Sequence, residues 1–508
     1  MPRITLVSGL CRSQFSPTSS VRVSSGTRVR CYSRGFSASA AREKPRLVIL
    51  GSGWGGYEVL RSVDKKRWDV TMISPSNYFN FTPLLASCAV GTLEFRAAVE
   101  PVRRYTPEVI AYQAWCDSID FNRKVLKCMP ATPPTPFSAA PSAPITESGT
   151  TVQFPGNGKT FNVTYDKLII AVGAYSQTFD VPGVKEHAHF LKDIRDARAI
   201  RTRVLECFEQ ANQPTITDEN RRKLLHFCIA GGGPTGVEFA AELHDLLRTD
   251  IERHYPHLAK MARISLFDVA PVILGSFDGG LQEFATQKFH REGIRILTRH
   301  HVERVEPGRM FVKEIGEGWS GSTLSADHPF GLITELVPFG LLVWSTGLAP
   351  NPLIQSITEV EKDPKSSSLI TDDHLNVILK ESGKPDSNVY AIGDAATIKG
   401  APLPATAQVA NQKAKYLTKK LNVIIKDSKH LVPFKFHNAG SLAYIGDWEA
   451  IYDGTKVARG PKTRGTGRIA WLLWRSAYFT RTVSIRNKIL VPVYWFMNWI
   501  FGRDLSRF

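Results

Sequence analysis

The sequence predicts an α/β protein in which two copies of a strand–glycine turn–helix–strand unit precede a basic, tryptophan-bearing C-terminal region. Three observations predict it. Glycine clusters stand at residues 51–56 and 231–236, each directly behind a short apolar run. Further apolar runs ending in glycine, at 165–173 and 341–347, follow each cluster at similar distance. The last forty or so residues are aromatic, basic and almost free of acids.

The chain opens on an address-like segment. Residues 1–42 hold seven arginines and no acid, are rich in serine, and carry small residues at Ala38, Ala40 and Ala41. That is the composition of a mitochondrial transit peptide. It supplies seven of the +17 formal charges. A basic balance suits anionic lipid, nucleic acid or a polyanionic ligand, and charge alone does not choose among them. At 508 residues and 43% hydrophobic, the chain is long enough for about three structural units.

Arg46 to Leu50 reads as a buried parallel strand. Gly51, Gly53, Gly55 and Gly56 follow, then a helical stretch to about Lys65 and a second strand at Asp69–Ile73. Residues 130–160, rich in Pro, Ala, Ser and Thr, read as an exposed insertion. Tyr165 to Gly173 is another buried strand, and residues 194–212 are helical. The second copy runs through Leu225–Ala230 (strand), Gly231 to Gly236 (turn), Val237–Leu247 (helix) and Ile264–Asp268 (strand). Leu341 to Gly347 echoes the 165–173 strand. A strand ending at Gly393 and Asp394 and a helix over 406–421 complete the pattern.

A glycine triplet at this spacing, placed after a strand, at the start of a helix and inside a βαβ unit, has a physical reading. The first glycine allows the tight turn. The second lets backbone approach a pyrophosphate. The third lets helix and strand pack closely, and the helix N-terminus offers free N–H groups to the phosphates. Gly51, Gly53 and Gly56 fill these places in one copy; Gly231, Gly233 and Gly236 fill them in the other, with Pro234 and Thr235 in the same turn. The fold is therefore read as two Rossmann-like dinucleotide-binding domains. Asp268 ends the second strand of the second unit, where a carboxylate accepts ribose hydroxyls and repels a 2′-phosphate, favouring NADH over NADPH. Its counterpart in the first unit is Ser74, a hydroxyl able to supply one such bond.

Seven cysteines carry no CxxC or CxxxxC spacing, so a redox-active dithiol, a zinc ribbon and an iron–sulfur cluster are not expected, nor is any metal site. No EF-hand loop is visible. Glu238 and Glu242 stand four apart on one helix face; Glu242 reads as a solvated or helix-pairing carboxylate.

The segments SPSNYFNFTPLLAS (74–87), YDKLIIAVGA (165–174), GGGPTGVEFAAEL (231–243), AIGDAA (391–396), LPATAQVANQKAKYL (403–417) and GSLAYIGDWEAI (440–451) together resemble the type II, or alternative, NADH:ubiquinone oxidoreductases of mitochondria. The tail segments WRSAYFTRTVSIRNK and FGRDLSRF look like the fungal members. The resemblance covers nearly the whole chain after residue 42. It implies the two-dinucleotide-binding flavoprotein fold, with one non-covalent FAD on the first glycine turn and NADH on the second. It also implies hydride transfer to flavin N5, two-electron reduction of ubiquinone, and no proton pumping. By the same resemblance, Asp394 with Gly393 holds the ribityl–phosphate part of FAD, and Gly173 and Gly347 lie at the crossovers between domains. Thr82 and Pro83 lie beside the isoalloxazine, and Gln408 approaches flavin and quinone. Asn411 stands at a quinone-site position where some members carry His, and Glu238 sits at the nicotinamide–flavin junction as a proton relay.

The expected division is a transit peptide (1–42), a first FAD segment (43–190), an NADH domain (191–375), a second FAD segment (376–425) and a membrane-anchoring or dimerising region (426–508). From Arg468 to Phe508, Trp471, Trp474, Trp495 and Trp499 stand among Arg468, Arg475, Arg481, Arg486, Lys488, Arg503 and Arg507, with Asp504 the lone acid. The apolar run 489–501 is short and contains Pro492 and Asn498, which favours a helix lying in the membrane interface over one that spans. A homodimer is expected through the same region. The expected location is peripheral on the mitochondrial inner membrane, the matrix side favoured, with no nucleic-acid partner. Two rivals share parts of this pattern. A sulfide:quinone oxidoreductase needs paired reactive cysteines near the flavin, and an apoptosis-inducing-factor-like flavoprotein lacks the tryptophan-rich tail.

Overall fold

The computed structural model of the chain describes residues 44–105, 107–131, 160–315, 334–424, 432–458, 462–482 and 484–506. The expected transit peptide and nearly all of the 130–160 insertion lie outside the described residues.

Continuous apolar runs make buried parallel strands because both faces of such a sheet are covered. β1 (Arg46–Leu50) is buried over four of its five residues. A glycine turn leads into α1 (Trp54–Ser62), and β2 (Asp69–Ser74) returns parallel to β1. The helix stops three residues short of expectation, where Val63 turns to extended backbone. β3 (Val109–Asp120) continues the sheet in parallel; β4 (Val125–Pro130) and β5 (Phe161–Thr164) add antiparallel strands at its edge. β6 (Lys167–Ile170) pairs with β1 on the other side. Cys116 and Cys128 stand opposite each other on β3 and β4, and all five described cysteines are free.

The second unit begins at β7 (His189–Phe190) and α2 (Ile194–Ala211). α2 is started by a capping box in which Asp193 and Asp196 each accept a backbone N–H of the first turn. β8 (His226–Ala230), α3 (Pro234–Leu246), β9 (Arg263–Asp268), β10 (Arg295–Thr298) and β11 (Leu341–Trp344) follow. Their parallel five-stranded order is β7-β11-β8-β9-β10. α3 starts at Pro234, not at Val237 as expected. Gly233 serves as N-cap and proline, with no N–H to lose, takes the first helical place.

The chain then returns to the first sheet earlier than expected. β12 (Leu369–Thr371), β13 (Asn376–Ile378), β14 (Pro385–Ala391) and β15 (Ala396–Ile398) extend it to ten strands, in the order β15-β12-β13-β14-β6-β1-β2-β3-β4-β5. Leu353, Ile354, Ile357, Val360 and Leu369 share a core with Val48 and Leu50 of β1. The expected boundary at 376 therefore falls inside the sheet, and the second segment of the first unit is under way by the short helix Pro352–Ser356. Its signal is a set of brief strands too irregular to show a period. α4 (Ala407–Ile424) packs along α1.

The C-terminal region forms an antiparallel sheet of β16 (Ser441–Gly446), β17 (Glu449–Asp453) and β18 (Arg464–Thr466). Two helices follow, α5 (Gly467–Arg481) and α6 (Ile485–Phe501). Ala443, Ile445, Ile451, Ala470 and Trp474 join the core that contains Val237, Ala240 and Ala241 of α3. α6 runs through Pro492, and among the described residues no helix is long and apolar enough to cross a membrane.

Candidate active site

The two glycine turns have the same geometry. Gly51 and Gly231 have φ of +98° and +113°, and a Cβ on either would strike a backbone carbonyl, that of Ala171 at 2.3 Å and that of Ser345 at 2.8 Å. Gly53 and Gly233 face open space, with nothing within 4 Å of where a Cβ would stand. Gly56 and Gly236 sit in the first helical turn, where a Cβ would come within 1.9 and 2.0 Å of the carbonyls of Gly51 and Gly231. Neither α1 nor α3 has a side-chain cap on its N-terminus, so the first-turn N–H groups remain available to an anion. These features fit two pyrophosphates. Gly55 differs, because a Cβ there would come within 3.0 Å of the Ile392 side chain. Pro234 and Thr235 are exposed at the mouth of the second turn.

Asp268 ends β9 beside the second turn. It accepts the Gly232 N–H on one carboxylate oxygen and the Ala270 N–H, at 2.7 Å, on the other, which fixes the plane it would offer a ribose. Ser74 ends β2 beneath the first turn. It is buried, and its Oγ pairs with Ser52 Oγ at 2.9 Å, so it secures the first turn.

The crossovers meet. Gly173 (φ +68°) and Gly347 (φ +50°) lead into Ala174–Ser176 and Leu348–Pro350, which pair antiparallel. Thr82 is exposed at the start of a short 3₁₀ turn with Pro83; its Oγ1 accepts from Trp54 Nε1 at 3.0 Å. Behind it Tyr57 and Phe79 stack with ring centroids 4.8 Å apart. Gly393 (φ +73°) brings Asp394 to the same side of the first sheet. Burial raises the Asp394 carboxyl above its ordinary range, and the nearby ammonium groups of Lys192 and Lys413 oppose that shift. Lys413 is 1% exposed, donates to the Ala396 carbonyl at 3.2 Å, and is pushed down to about 8 by burial.

Glu238 and Glu242 occupy consecutive turns of α3. Glu238 Oε1 accepts from the Tyr444 backbone N–H and from Trp474 Nε1, both at 3.2 Å. Burial drives its pKa up to about 7, with the two hydrogen bonds pulling the other way. Glu242, expected to be solvated or paired along its helix, is 4% exposed instead. It accepts from Ser87 Oγ at 2.6 Å and Thr92 Oγ1 at 2.7 Å, and Arg503 Nη2 approaches to 3.8 Å. Asp245, one turn further, accepts from Tyr444 Oη at 2.6 Å.

The 408–411 turn of α4 serves attachment. Gln408 receives the Ala439 N–H at 2.9 Å and donates to the Gly440 carbonyl at 3.3 Å, so both ends of its amide are engaged by the C-terminal region. Asn411 donates to Glu58 Oε2 of α1 at 3.2 Å, fastening α4 to α1. Sequence reasoning missed Tyr444, Lys192 and Arg503 as members of this region. It also missed the individual places of the tryptophans. Trp474 reaches Glu238, while Trp471 and Trp495 enclose the Arg475 guanidinium at 4.1 Å each. Only their presence in the tail, not which face each takes, was visible.

With this geometry in place, comparison with known proteins is direct. Residues 45–414 match the family described as pyridine nucleotide-disulphide oxidoreductase, and residues 438–504 match the NDH2 C-terminal domain. An internal alternative NAD(P)H-ubiquinone oxidoreductase A1 of mitochondria from Solanum tuberosum is 36% identical, over 93% of this chain and 90% of its own. A probable NADH dehydrogenase of Dictyostelium discoideum is 38% identical over 92% of both chains. The solved structure of NDH2 from Plasmodium falciparum in complex with NADH superposes with a TM-score of 0.77 at 26% identity, covering 91% of this chain and all of that one. A sulfide:quinone oxidoreductase of Aquifex aeolicus, TM-score 0.62 at 16% identity, shares the fold. Paired glycine turns of matching geometry, joined through α3 to a C-terminal sheet and helices of the NDH2 kind, thus place the chain among the pyridine nucleotide-disulphide oxidoreductases, and within them in the type II NADH:ubiquinone oxidoreductase family.

Proposed function

We propose that the protein is a non-proton-pumping NADH:ubiquinone oxidoreductase working at the mitochondrial inner-membrane surface. The observation that carries this reading is the junction at Glu238. This carboxyl lies on the helix that opens at the second glycine turn, and its partners Tyr444 and Trp474 come from the C-terminal region. A nucleotide-facing helix and the expected membrane-facing elements therefore meet at one titratable group.

FAD, when bound, supplies the two-electron chemistry, accepting hydride from the nicotinamide and passing the electron pair to quinone. The chain's own residues do the rest. Gly51, Gly53 and Gly56 admit the FAD pyrophosphate to the start of α1, and Gly231, Gly233 and Gly236 admit that of NADH to the start of α3. Asp268 faces the NADH ribose, Thr82 and Pro83 wall the ring, and Asp394 holds the flavin's polyol arm. Glu238 is poised to hold or release a proton near neutral pH, where quinone reduction requires protons. Gln408 sets the wall between flavin and quinone through its grip on Ala439 and Gly440.

Membrane attachment through α5 and α6 is supported by their outward faces. Ile469, Ile485 and Trp499 are 76%, 78% and 67% exposed, and Leu472, Ile489, Phe496 and Phe501 share that exposure. Such a row of exposed apolar side chains beside Arg468, Arg486 and Lys488 suits the lipid interface. A homodimer formed through the same region and a matrix-side location complete the reading.

Purified protein lacking residues 1–42 should carry one FAD that bleaches on anaerobic addition of NADH and is reoxidised by a soluble ubiquinone analogue. Absence of flavin, or a flavin that stays oxidised with excess NADH, would overturn the reading. Protease protection in mitoplasts tests the membrane side, and sedimentation in detergent tests the dimer.

A further inference from the structure

Lys192 stands in the link between β7 and α2, at the start of the second nucleotide unit. Its main chain is held on both sides. The Lys192 N–H donates to Asp196 at 2.9 Å, and its carbonyl accepts from Asn80 Nδ2 at 3.0 Å. The next residue, Asp193, donates its own N–H to Asp196 at 2.8 Å and accepts from Tyr78 Oη at 2.8 Å. Tyr78 and Asn80 belong to the same strand (Tyr78–Asn80) that leads into Thr82 and Pro83. The backbone of Lys192 is thus registered against the segment assigned to the flavin ring.

Its side chain has no such partners. The Nζ atom is buried with no hydrogen bond. Lys413, the other lysine near Asp394, has a carbonyl partner. Burial lowers the Lys192 pKa, while the charges of Asp394 and Asp196 oppose the shift. A buried ammonium whose donors go unused is less stable than a satisfied one, because it has left water without gaining a partner. A lysine this firmly placed by its backbone, fastened to the strand that leads into Thr82 and within the field of Asp394, has donors left for something the chain does not supply.

We propose that Lys192 donates to the polar edge of the isoalloxazine ring and sets the potential of the flavin. The proposal rests on the functional reading above, which places FAD on the first turn. The step it serves is balanced. NADH gives up a hydride and leaves as NAD⁺, and the flavin gains two electrons, one proton and one net negative charge. A fixed ammonium at the ring edge stabilises that charge more than it stabilises the neutral oxidised ring, and so favours reduction. Lys192 is then both a positioning group and an electrostatic one, and the charge of Asp394 opposes the loss of its proton.

The test uses the whole mature enzyme with its flavin bound. Lys192→Met and Lys192→Arg are compared with wild type for flavin content per chain, released by heat, and for midpoint potential by equilibration with a redox dye. Lys192→Met is expected to keep flavin and to lower its equilibrium reduction about tenfold, which corresponds to about 30 mV for a two-electron couple. Lys192→Arg should restore most of the difference. A purely structural role for the lysine would lower flavin content or thermal stability and leave the potential where it was. A flavin-replete Lys192→Met with the wild-type potential overturns the proposal. If that variant does not fold, Lys192→Gln takes its place, with the same lowered potential expected and the same unchanged potential overturning the proposal. Wild-type protein without flavin would instead overturn the functional reading itself, so the two failures are distinct.

Discussion

The indole Nε1 of Trp474 donates to Glu238 Oε1 across 3.2 Å, so that a helix of the second nucleotide unit and the first helix of the C-terminal region share one hydrogen bond. This bond favours the charged carboxylate, while burial favours the neutral acid and lifts it to about 7. Trp474→Phe removes the donor and should move the alkaline limb of the pH profile for quinone reduction, where Glu238 loses the proton it would give, to higher pH. Glu238→Gln should flatten that limb and lower kcat by tenfold or more. The folded state binds the Glu238 proton more tightly than the unfolded one does. Its contribution to stability is therefore complete below about pH 4.5 and is lost as pH rises towards 7. Denaturant melts across that window should show wild type losing stability relative to Glu238→Gln as pH rises.

Asp268 has two duties, one to the nucleotide and one to its own turn. Asp268→Ala should reduce kcat/KM for NADH at least tenfold, about 1.4 kcal/mol. NADPH should suffer less, because repulsion of a 2′-phosphate disappears with the carboxylate. Steady-state kinetics with both nucleotides check this. The loss of the Gly232 and Ala270 contacts should also lower the melting temperature, because both N–H groups lose a charged acceptor.

Gly56→Ala and Gly236→Ala place a methyl group about 2 Å from a carbonyl oxygen in the preceding turn. Overpacking of this kind costs about 1–3 kcal/mol or more, because neither helix can back away from its strand. The first variant should lose flavin, read as the ratio of flavin to protein absorbance. The second should keep flavin and lose its reduction by NADH.

Arg503 carries the charge balance of a buried carboxylate cluster. Its Nη1 lies 2.7 Å from Asp250 Oδ2, its backbone N–H donates to Asp250 Oδ1 at 2.8 Å, and Nη2 approaches Glu242. Arg503→Ala leaves those carboxylates unpaired and should destabilise the fold by about 3–5 kcal/mol. Arg503→Lys should recover part of it, as differential scanning fluorimetry would show.

Triple substitution of Ile469, Ile485 and Trp499 by serine should abolish sedimentation with cardiolipin-containing vesicles. Turnover with a water-soluble quinone should stay within about twofold, because the three side chains point away from the core.

The sequence made both nucleotide units legible, because glycine spacing and apolar runs are local signals with a fixed geometric meaning. Gly51, Gly56, Gly231 and Gly236 adopt the backbone and close approaches that the motif requires. Position along a strand, however, does not tell where a hydroxyl points. Ser74 was expected to supply a ribose bond, and its hydroxyl pairs with Ser52. Glu242 looked like a surface carboxylate because its partners Ser87, Thr92 and Arg503 come from distant parts of the chain. Gln408 and Asn411 were legible as members of an important turn, but not as fasteners to Gly440 and Glu58. Lys192 had no motif to mark it; only an ammonium without a partner in three dimensions did.

The place of Arg503 also bears on how the molecule is made. It neutralises carboxylates on α3 and its extension that stand more than 250 positions earlier. A polypeptide still emerging from a ribosome or threading through a translocon has those acids and no cation to quench them. Burial of those acids must therefore wait for Arg503 to dock, so completion of the interior around α3 depends on a contact of very large sequence separation.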